Sequence, residues 1–227
     1  MLEMNKLYQG DAFDYLKEIP DESIDLIMTD IPYGEVNRES NGLRKLDKEE
    51  ADICEFDIEL LADELSRISK GSIYIFCGQE QVSYLKKKFI ENGFSTRLGI
   101  WEKSNPSPMN GEHIWLSGIE CCVFAKKSGA TFREHCKCPI WRFPCGSSNI
   151  HPTQKPIELI QYLISVSSIQ GDVVLDPFLG SGTTAIAAIR LDRKYIGIEK
   201  TEKYFNLAKQ RVTDEESQLN FFGQAAL

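Results

Sequence analysis

Residues 173–189 read VVLDPFLGSGTTAIAAI. The first four form a short apolar run ending in aspartate, the pattern of a strand buried on both faces. A proline and two glycines, Gly180 and Gly182, interrupt it, and a helical pattern follows at once over 184–191. Such a strand–glycine turn–helix lets the backbone approach a ligand closely and presents the unpaired N–H groups of the helix's first turn. Seventeen residues after Gly182, Glu199 ends another apolar run, where a carboxylate is placed to hydrogen-bond ribose hydroxyls. The arrangement points to an adenosine-type cofactor without saying which one. The third glycine of a GxGxxG pattern is missing and Asp176-Pro177 replaces its usual start, which weakens a nicotinamide or flavin reading. The competing reading is a glycine-rich turn with no ligand.

Outward from this unit, strands and helices alternate. Strands are expected over 5–10, 24–28, 72–76, 95–101, 118–125 and 195–198, and helices over 12–18, 57–68, 79–91, 156–166 and 201–212. The 57–68 helix is marked by Ile58, Leu61, Leu65 and Ile68 at helical spacing, and Pro156 reads as a first-turn residue. Segments 35–54, 104–111 and 131–151 read as loops or irregular structure, and 218–227 shows no pattern. Alternation of this kind predicts a mostly parallel sheet with helices on both faces. The two strands at 95–101 and 118–125, with no helix between them, suggest one antiparallel edge.

The bulk numbers agree with one α/β domain, or at most two small ones: 227 residues, 42% hydrophobic and 26% charged. No repeat, low-complexity tract, membrane span or secretory signal is visible. Seven cysteines, an odd number, point to reduced thiols and a cytoplasmic location. The net charge of −8 speaks mildly against a nucleic-acid partner, but its distribution does not. Residues 84–157 carry 11 Lys+Arg against 5 Asp+Glu and all three histidines, whereas the remainder carries 15 against 29. This asymmetry is the footprint expected for a polyanion, the alternative being an accident of composition.

The second informative stretch, Thr29-Asp30-Ile31-Pro32-Tyr33-Gly34, follows the buried run IDLIM. Its proline and glycine end the strand, so a carboxylate, a rigid turn and an aromatic ring are presented together at a strand's carboxyl end. Asp30 and the Pro32 carbonyl offer two acceptors for an amino group, and Tyr33 offers a face for stacking on a flat ring. Taken alone, such a tetrapeptide reads more readily as a tight turn with a structural tyrosine.

Together the two stretches resemble the motifs of amino-methylating DNA methyltransferases. DIPYG (30–34) is similar to their DPPYG catalytic motif and DPFLGSGT (176–183) to their cofactor motif. HPTQKP at 151–156 resembles the run preceding the cofactor strand in these enzymes, and Gly10-Asp11 is a fourth match. With the catalytic motif first and the cofactor motif last, the order resembles the circularly permuted beta class, over about residues 7–212. One position departs: Ile31 stands where the family usually has its first proline, while Pro32 keeps the turn and its carbonyl.

The resemblance implies the doubly wound, Rossmann-like α/β fold of S-adenosylmethionine methyltransferases, circularly permuted, as a single domain over 1–227. Its sheet would be seven-stranded and mostly parallel with one antiparallel strand, in the order first, seventh, sixth, second, third, fifth, fourth. The strands ending at Asp176 and Asp30 then become neighbours where the winding reverses, the place where open α/β sheets bind ligands. It implies S-adenosylmethionine as cofactor, with Asp11 at the adenine amino group, Glu199 at the ribose and Thr153 and Lys155 at the methionine part. Asp176, Phe178, Gly180, Ser181, Gly182 and Thr183 would line the same site. It implies DNA as partner, the target base flipped out, with Asp30, Pro32 and Tyr33 as the catalytic set and adenine N6 as the acceptor.

Cytosine N4 is the alternative acceptor, although those enzymes more often carry serine at position 30. A methyltransferase acting on RNA or protein comes next, and a catalytically inactive DNA-binding or regulatory module, supported only by Ile31, is more remote. Candidate DNA contacts in loops 35–54, 104–111 and 131–150 include Arg38, Arg44, Lys45, Arg133, Lys137 and Arg142. No metal is expected, because Cys136-x-Cys138 with His135, Cys145 and His151 matches no common zinc spacing. The Pro144-Cys145 pair of cytosine-C5 chemistry lies in an irregular segment, not beside the cofactor turn. No membrane partner is expected, and the chain would act as a monomer or homodimer.

Overall fold

The computed structural model describes residues 2–33, 56–108, 111–146 and 154–225, with the side chains of 219–225 left aside. Its strands are β1 (Lys6–Gln9), β2 (Ile24–Asp30), β3 (Ser69–Cys77), β4 (Ser95–Lys103), β5 (Ile119–Lys126), β6 (Ile140–Phe143), β7 (Val173–Asp176) and β8 (Lys194–Glu199). The helices are α1 (Ala12–Leu16), α2 (Ile58–Ile68), α3 (Val82–Glu91), α4 (Ile157–Ser167), α5 (Thr183–Arg190) and α6 (Glu202–Ala225).

The strands form one sheet in the order β1-β8-β7-β2-β3-β5-β4-β6. Only β5 runs against its neighbours, pairing antiparallel with both β3 and β4. The expected seven-strand order is present, and β6 adds an eighth strand beyond it, parallel to β4. Its four residues IWRF alternate in burial, and Trp141 packs over Gly99, where a Cβ would lie 2.3 Å from the indole. A strand this short, in a segment rich in cysteine, proline and charge, carries too little periodicity to stand out. Lying between β3 and β4, the antiparallel strand is interior, not an edge.

Burial on both faces explains the near-continuous apolar strands β2 and β7. One face is covered by α1, α2 and α3, whose Leu16, Leu61, Leu65, Leu85 and Phe89 meet Ile27, Ile73 and Ile75 of the sheet. The other is covered by α4, α5 and α6 through Leu159, Leu163, Ile186, Ala187 and Ala208 against Leu26, Met28 and Val174. Aspartates start two helices: Asp11 accepts from Phe13 N, and Asp57 from Glu59 N and Leu60 N. Pro156 stands one residue earlier than expected, as the N-cap of α4. The last helix runs on to Ala225, through the stretch in which no pattern is legible. Among the described residues no helix is long and apolar enough to cross a membrane.

Candidate functional site

From β2 the chain winds outward through β3, and from β7 it winds the opposite way through β8, with β2 and β7 paired side by side. At the carboxyl ends of these strands opens a cavity of about 410 Å³. Its lining combines the β1–α1 turn, the end of β2, the β7–α5 turn and the end of β8, joined by Phe56, Glu120 and Lys155. The two motifs separated by more than a hundred residues thus share one cleft.

One half of the cavity is built around the glycine turn. Gly180 and Gly182 have φ of 55° and 87°, and a Cβ on Gly182 would also lie 3.1 Å from that of Ala208 on α6. Glycine is required there both for the left-handed backbone and for the approach of α6. Gly182 is the N-cap of α5, so the first-turn amides of that helix face the cavity. The buried Thr183 hydroxyl has no hydrogen-bond partner, which fits a polar ligand at this point. Ser181 is buried, and its carbonyl accepts from Arg211 of α6. Glu199 accepts from Gly180 N and Thr201 N, each at 2.8 Å, and so ties the glycine turn to the start of α6. Asp11 lies at the rim, paired with Lys200 at 3.0 Å. Phe178 stacks in a tilted arrangement on Phe56 with centroids 5.6 Å apart, giving the cavity an aromatic wall.

Asp176 is buried at the junction of the two halves. Its carboxylate accepts from Thr29 Oγ1 at 2.8 Å and from Phe178 N at 3.1 Å. Burial raises its pKa to about 7 against these hydrogen bonds, with the nearby Asp30 charge adding to the rise.

The other half is the turn after β2. Asp30 Oδ1 accepts from the Tyr33 hydroxyl at 2.9 Å, and Oδ2 from the Lys155 ammonium. The Pro32 carbonyl accepts from Gln81 Nε2 at 3.0 Å. Lys155 also pairs with Glu120 at 3.1 Å, and Glu120 with Lys103 at 2.8 Å. Burial raises the Asp30 pKa, Lys155 opposing and Glu120 reinforcing the rise. Burial works against ionised Glu120 too, but Lys155 and Lys103 together outweigh it and hold its pKa down. Lys155 stays protonated: burial opposes its charge, and the two carboxylates more than compensate. Tyr33 is pushed well up, first by burial and then by the carboxylate charges.

Ile31 has its own account. Its N–H donates to Phe76 O at 3.1 Å, extending the β2–β3 ladder by a bond that proline cannot make. Its side chain is buried in the core under α1 and α2. Here the isoleucine exchanges the rigidity of proline for a ladder bond and apolar packing.

The structure brings Asp30, Pro32, Tyr33, Lys155, Asp176, Phe178, Gly180, Ser181, Thr183, Glu199 and Asp11 to the cavity wall. Gly182 lies in the same turn. Lys155, expected beside a methionine moiety, lies between the Asp30 and Glu120 carboxylates. Thr153, Arg38, Arg44 and Lys45 lie outside the described residues. Arg133 does not join the cleft. The antiparallel β5 carries the chain to the opposite end of the sheet, where Arg133 N bonds Val166 O in the last turn of α4. Lys137 is paired with Glu134 on that flank, and Arg142 with Glu102 across β6 and β4. Cys136 and Cys138 are exposed, and Cys145 is absent from the cavity lining. Among the described residues no group of three His, Cys, Asp or Glu could hold a metal. Glu120, Lys103 and Gln81 are absent from the sequence-derived set. The signal for Glu120 is an acidic residue inside a mostly apolar strand.

A family model described as DNA methylase, of the N6/N4 type, matches residues 114–210. The Type II methyltransferase M2.MboI of Moraxella bovis is 31% identical, over 90% of this chain and 86% of its own length. The Type II methyltransferase M.HinfI of Haemophilus influenzae is 35% identical, over 93% and 69%. Among solved structures, the M1.HpyAVI–SAM complex superposes with a TM-score of 0.72 at 30% identity, covering 91% of this chain and 98% of that one. The cytosine-N4-specific PvuII DNA methyltransferase also superposes with a TM-score of 0.72, covering 96% and 93%, but at 19% identity it shares the fold alone.

Proposed function

The chain belongs to the N6/N4 amino-methylating DNA methylase family, and from that premise we propose that it methylates the N6 amino group of adenine in DNA. It is an S-adenosylmethionine-dependent DNA methyltransferase. The observation that carries the adenine reading is Asp30, a carboxylate with the Pro32 carbonyl beside it, opening on the same cavity as Asp176 and Glu199. Serine at position 30, the residue more usual in cytosine-N4 enzymes, would offer a donor as well as an acceptor.

When bound, S-adenosylmethionine supplies an electrophilic methyl group on a sulfonium. The unpartnered Thr183 hydroxyl, the glycine turn and the Glu199 carboxylate fit its nucleoside part. A duplex base pairs through its amino group, so the target is flipped out at a cost of a few kcal/mol. Tyr33 stacking offsets this by about 1–3 kcal/mol. Asp30 and the Pro32 carbonyl accept the two amino hydrogens, which keeps the nitrogen lone pair free to receive the methyl group. Burial raises the basicity of Asp30 and suits it to take the proton the methylated nitrogen loses. No covalent enzyme intermediate is required.

Residues 104–108 leave β4 at the cleft end of the sheet, and the described stretch 111–118 ahead of β5 carries Trp115, 95% exposed. It is the described segment best placed to meet DNA, together with Arg142 on β6. A cytoplasmic location fits this activity. The test is transfer from methyl-labelled S-adenosylmethionine to unmethylated phage DNA against total RNA. Label in DNA that survives protein denaturation and removal is expected. Label confined to RNA, or trapped as a protein–DNA adduct, would refute the reading.

Asp176 gives the cofactor step a pH dependence. Burial holds this carboxyl at about 7, above its unfolded value. Its favourable contribution to folding is thus present below about pH 4 and lost as pH rises through 7. A cationic ligand reverses the preference and favours the ionised form. Cofactor affinity is therefore expected to rise about eightfold between pH 6 and 7.5, with protons released on binding. Calorimetry in buffers of different ionisation enthalpy reads both; a flat profile with no proton release would remove Asp176 from the cofactor's surroundings.

A further inference from the structure

Four side chains in the cleft close a ring. The Tyr33 hydroxyl lies between Asp30 Oδ1, at 2.9 Å, and Glu120 Oε2, at 3.3 Å. The Lys155 ammonium lies between Asp30 Oδ2 and the same Glu120 Oε2, at 3.1 Å. Both oxygens of the catalytic carboxylate are thus occupied by the protein's own donors. An entering amine competes with these donors, and a donor displaced from Asp30 needs another acceptor. Lys155 is only 7% exposed, so water cannot readily serve it, and an uncompensated charge there is strongly unfavourable. Glu120 is within reach of both donors. Its other oxygen is held by Lys103, which fixes the carboxylate and favours its charge.

We propose that Glu120 is a positioning residue, the acceptor to which Tyr33 and Lys155 transfer their hydrogen bonds when the target amine takes their place on Asp30. The inference rests on the amine-methylating reading of this site and adds to it the device that frees the carboxylate. The register places Glu120 for the task. Cys122 lies level with Phe76 on β3, and Asp30 lies level with Phe76 on the other side. Glu120 is two residues from Cys122, on the same face and toward the cleft. Lys103 is anchored against the Trp101 ring at 5.4 Å. A purely architectural role would need no acceptor common to both donors of the catalytic aspartate.

Glu120→Gln preserves size, removes the charge and leaves one oxygen for three donors, Lys103, Tyr33 and Lys155. With unmethylated phage DNA, kcat is expected to fall about 10²-fold, as for a misplaced catalytic group, with KM for DNA and cofactor affinity little changed. Glu120→Asp, which keeps the charge, should recover part of the loss. The acidic limb of the kcat/KM profile should move to lower pH in Glu120→Gln, because a negative neighbour of Asp30 is gone. The groups around Asp30 are Lys155, Tyr33, Glu120, Asp176 and the thiols of Cys77 and Cys122, and only Glu120 differs between the two proteins. The Asp30 carboxyl is also followed without DNA, by carbon NMR of aspartate-labelled protein, with Asp30→Asn for assignment. Its midpoint should fall in Glu120→Gln. If wild type is active and Glu120→Gln keeps its turnover with the acidic limb in place, the inference is wrong and the methyltransferase reading stands. If wild type labels no DNA, that reading fails, and an unmoved Asp30 midpoint would then sink the positioning role as well.

Discussion

Asp30→Asn is expected to lower methyl transfer about 10³-fold or more while leaving cofactor affinity unchanged. Asparagine keeps the shape but turns one acceptor into a donor facing an amine that itself donates. It also takes away the negative partner of Lys155 and leaves the ammonium with Glu120 alone. Lys155 is buried but keeps Glu120 as its partner, so no charge is left alone and the fold should hold. Tyr33 and Lys155 both point at this carboxylate, and neither can replace it, because each arrives as a donor. Single-turnover transfer from labelled cofactor, with a calorimetric titration of the same protein, separates chemistry from binding. Turnover close to wild type would show that another group orients the amine.

Glu199→Ala should weaken S-adenosylmethionine binding about 10²-fold or more, the loss expected for two hydrogen bonds between a carboxylate and ribose hydroxyls. The fold will not be indifferent to this change. Glu199 is buried and caps Gly180 N and Thr201 N, so truncation leaves two amides without their acceptor and costs roughly 1–3 kcal/mol of stability. The sequence alone suggested a side chain committed to the ligand, whereas the structure shows one that also holds its own loop. Glu199→Gln, which keeps an acceptor for one amide, distinguishes the two effects. It should fold nearly normally and still bind cofactor about tenfold more weakly. Affinity equal to wild type in both variants, with unfolding followed in urea, would move the ribose elsewhere.

The sequence and the structure agree where the signal is local. Asp30, Asp176 and Glu199 each end a buried strand, and an apolar run cut by a charge and a turn is visible in one dimension. That Asp30 and Asp176 share a cavity follows only from strand order, supplied by the family resemblance and present in the sheet. The rest of the site depends on long-range contacts. Glu120 stands near the start of IECCVFAK, where a single acidic residue in a mostly apolar strand gives no hint of its partners. Gln81 reaches the Pro32 carbonyl from the 3₁₀ turn ahead of α3. Lys155 sits in a motif associated with the cofactor, yet its burial between two carboxylates is a consequence of β2 and β5 flanking β3. Arg133 reads as a DNA contact because it lies in a basic stretch. The reversal of direction at β5 takes it to the end of the sheet away from the cleft, and charge composition carries no information about strand direction.

Identification of the methylated nucleoside tests the central claim most directly. Unmethylated DNA is incubated with the protein and methyl-labelled S-adenosylmethionine, digested to nucleosides, and the labelled product is identified by mass. N6-methyldeoxyadenosine is the predicted product, formed by wild type and lost with Asp30→Asn. N4-methyldeoxycytidine as the sole product would contradict the adenine assignment, and unlabelled DNA would contradict the enzyme itself.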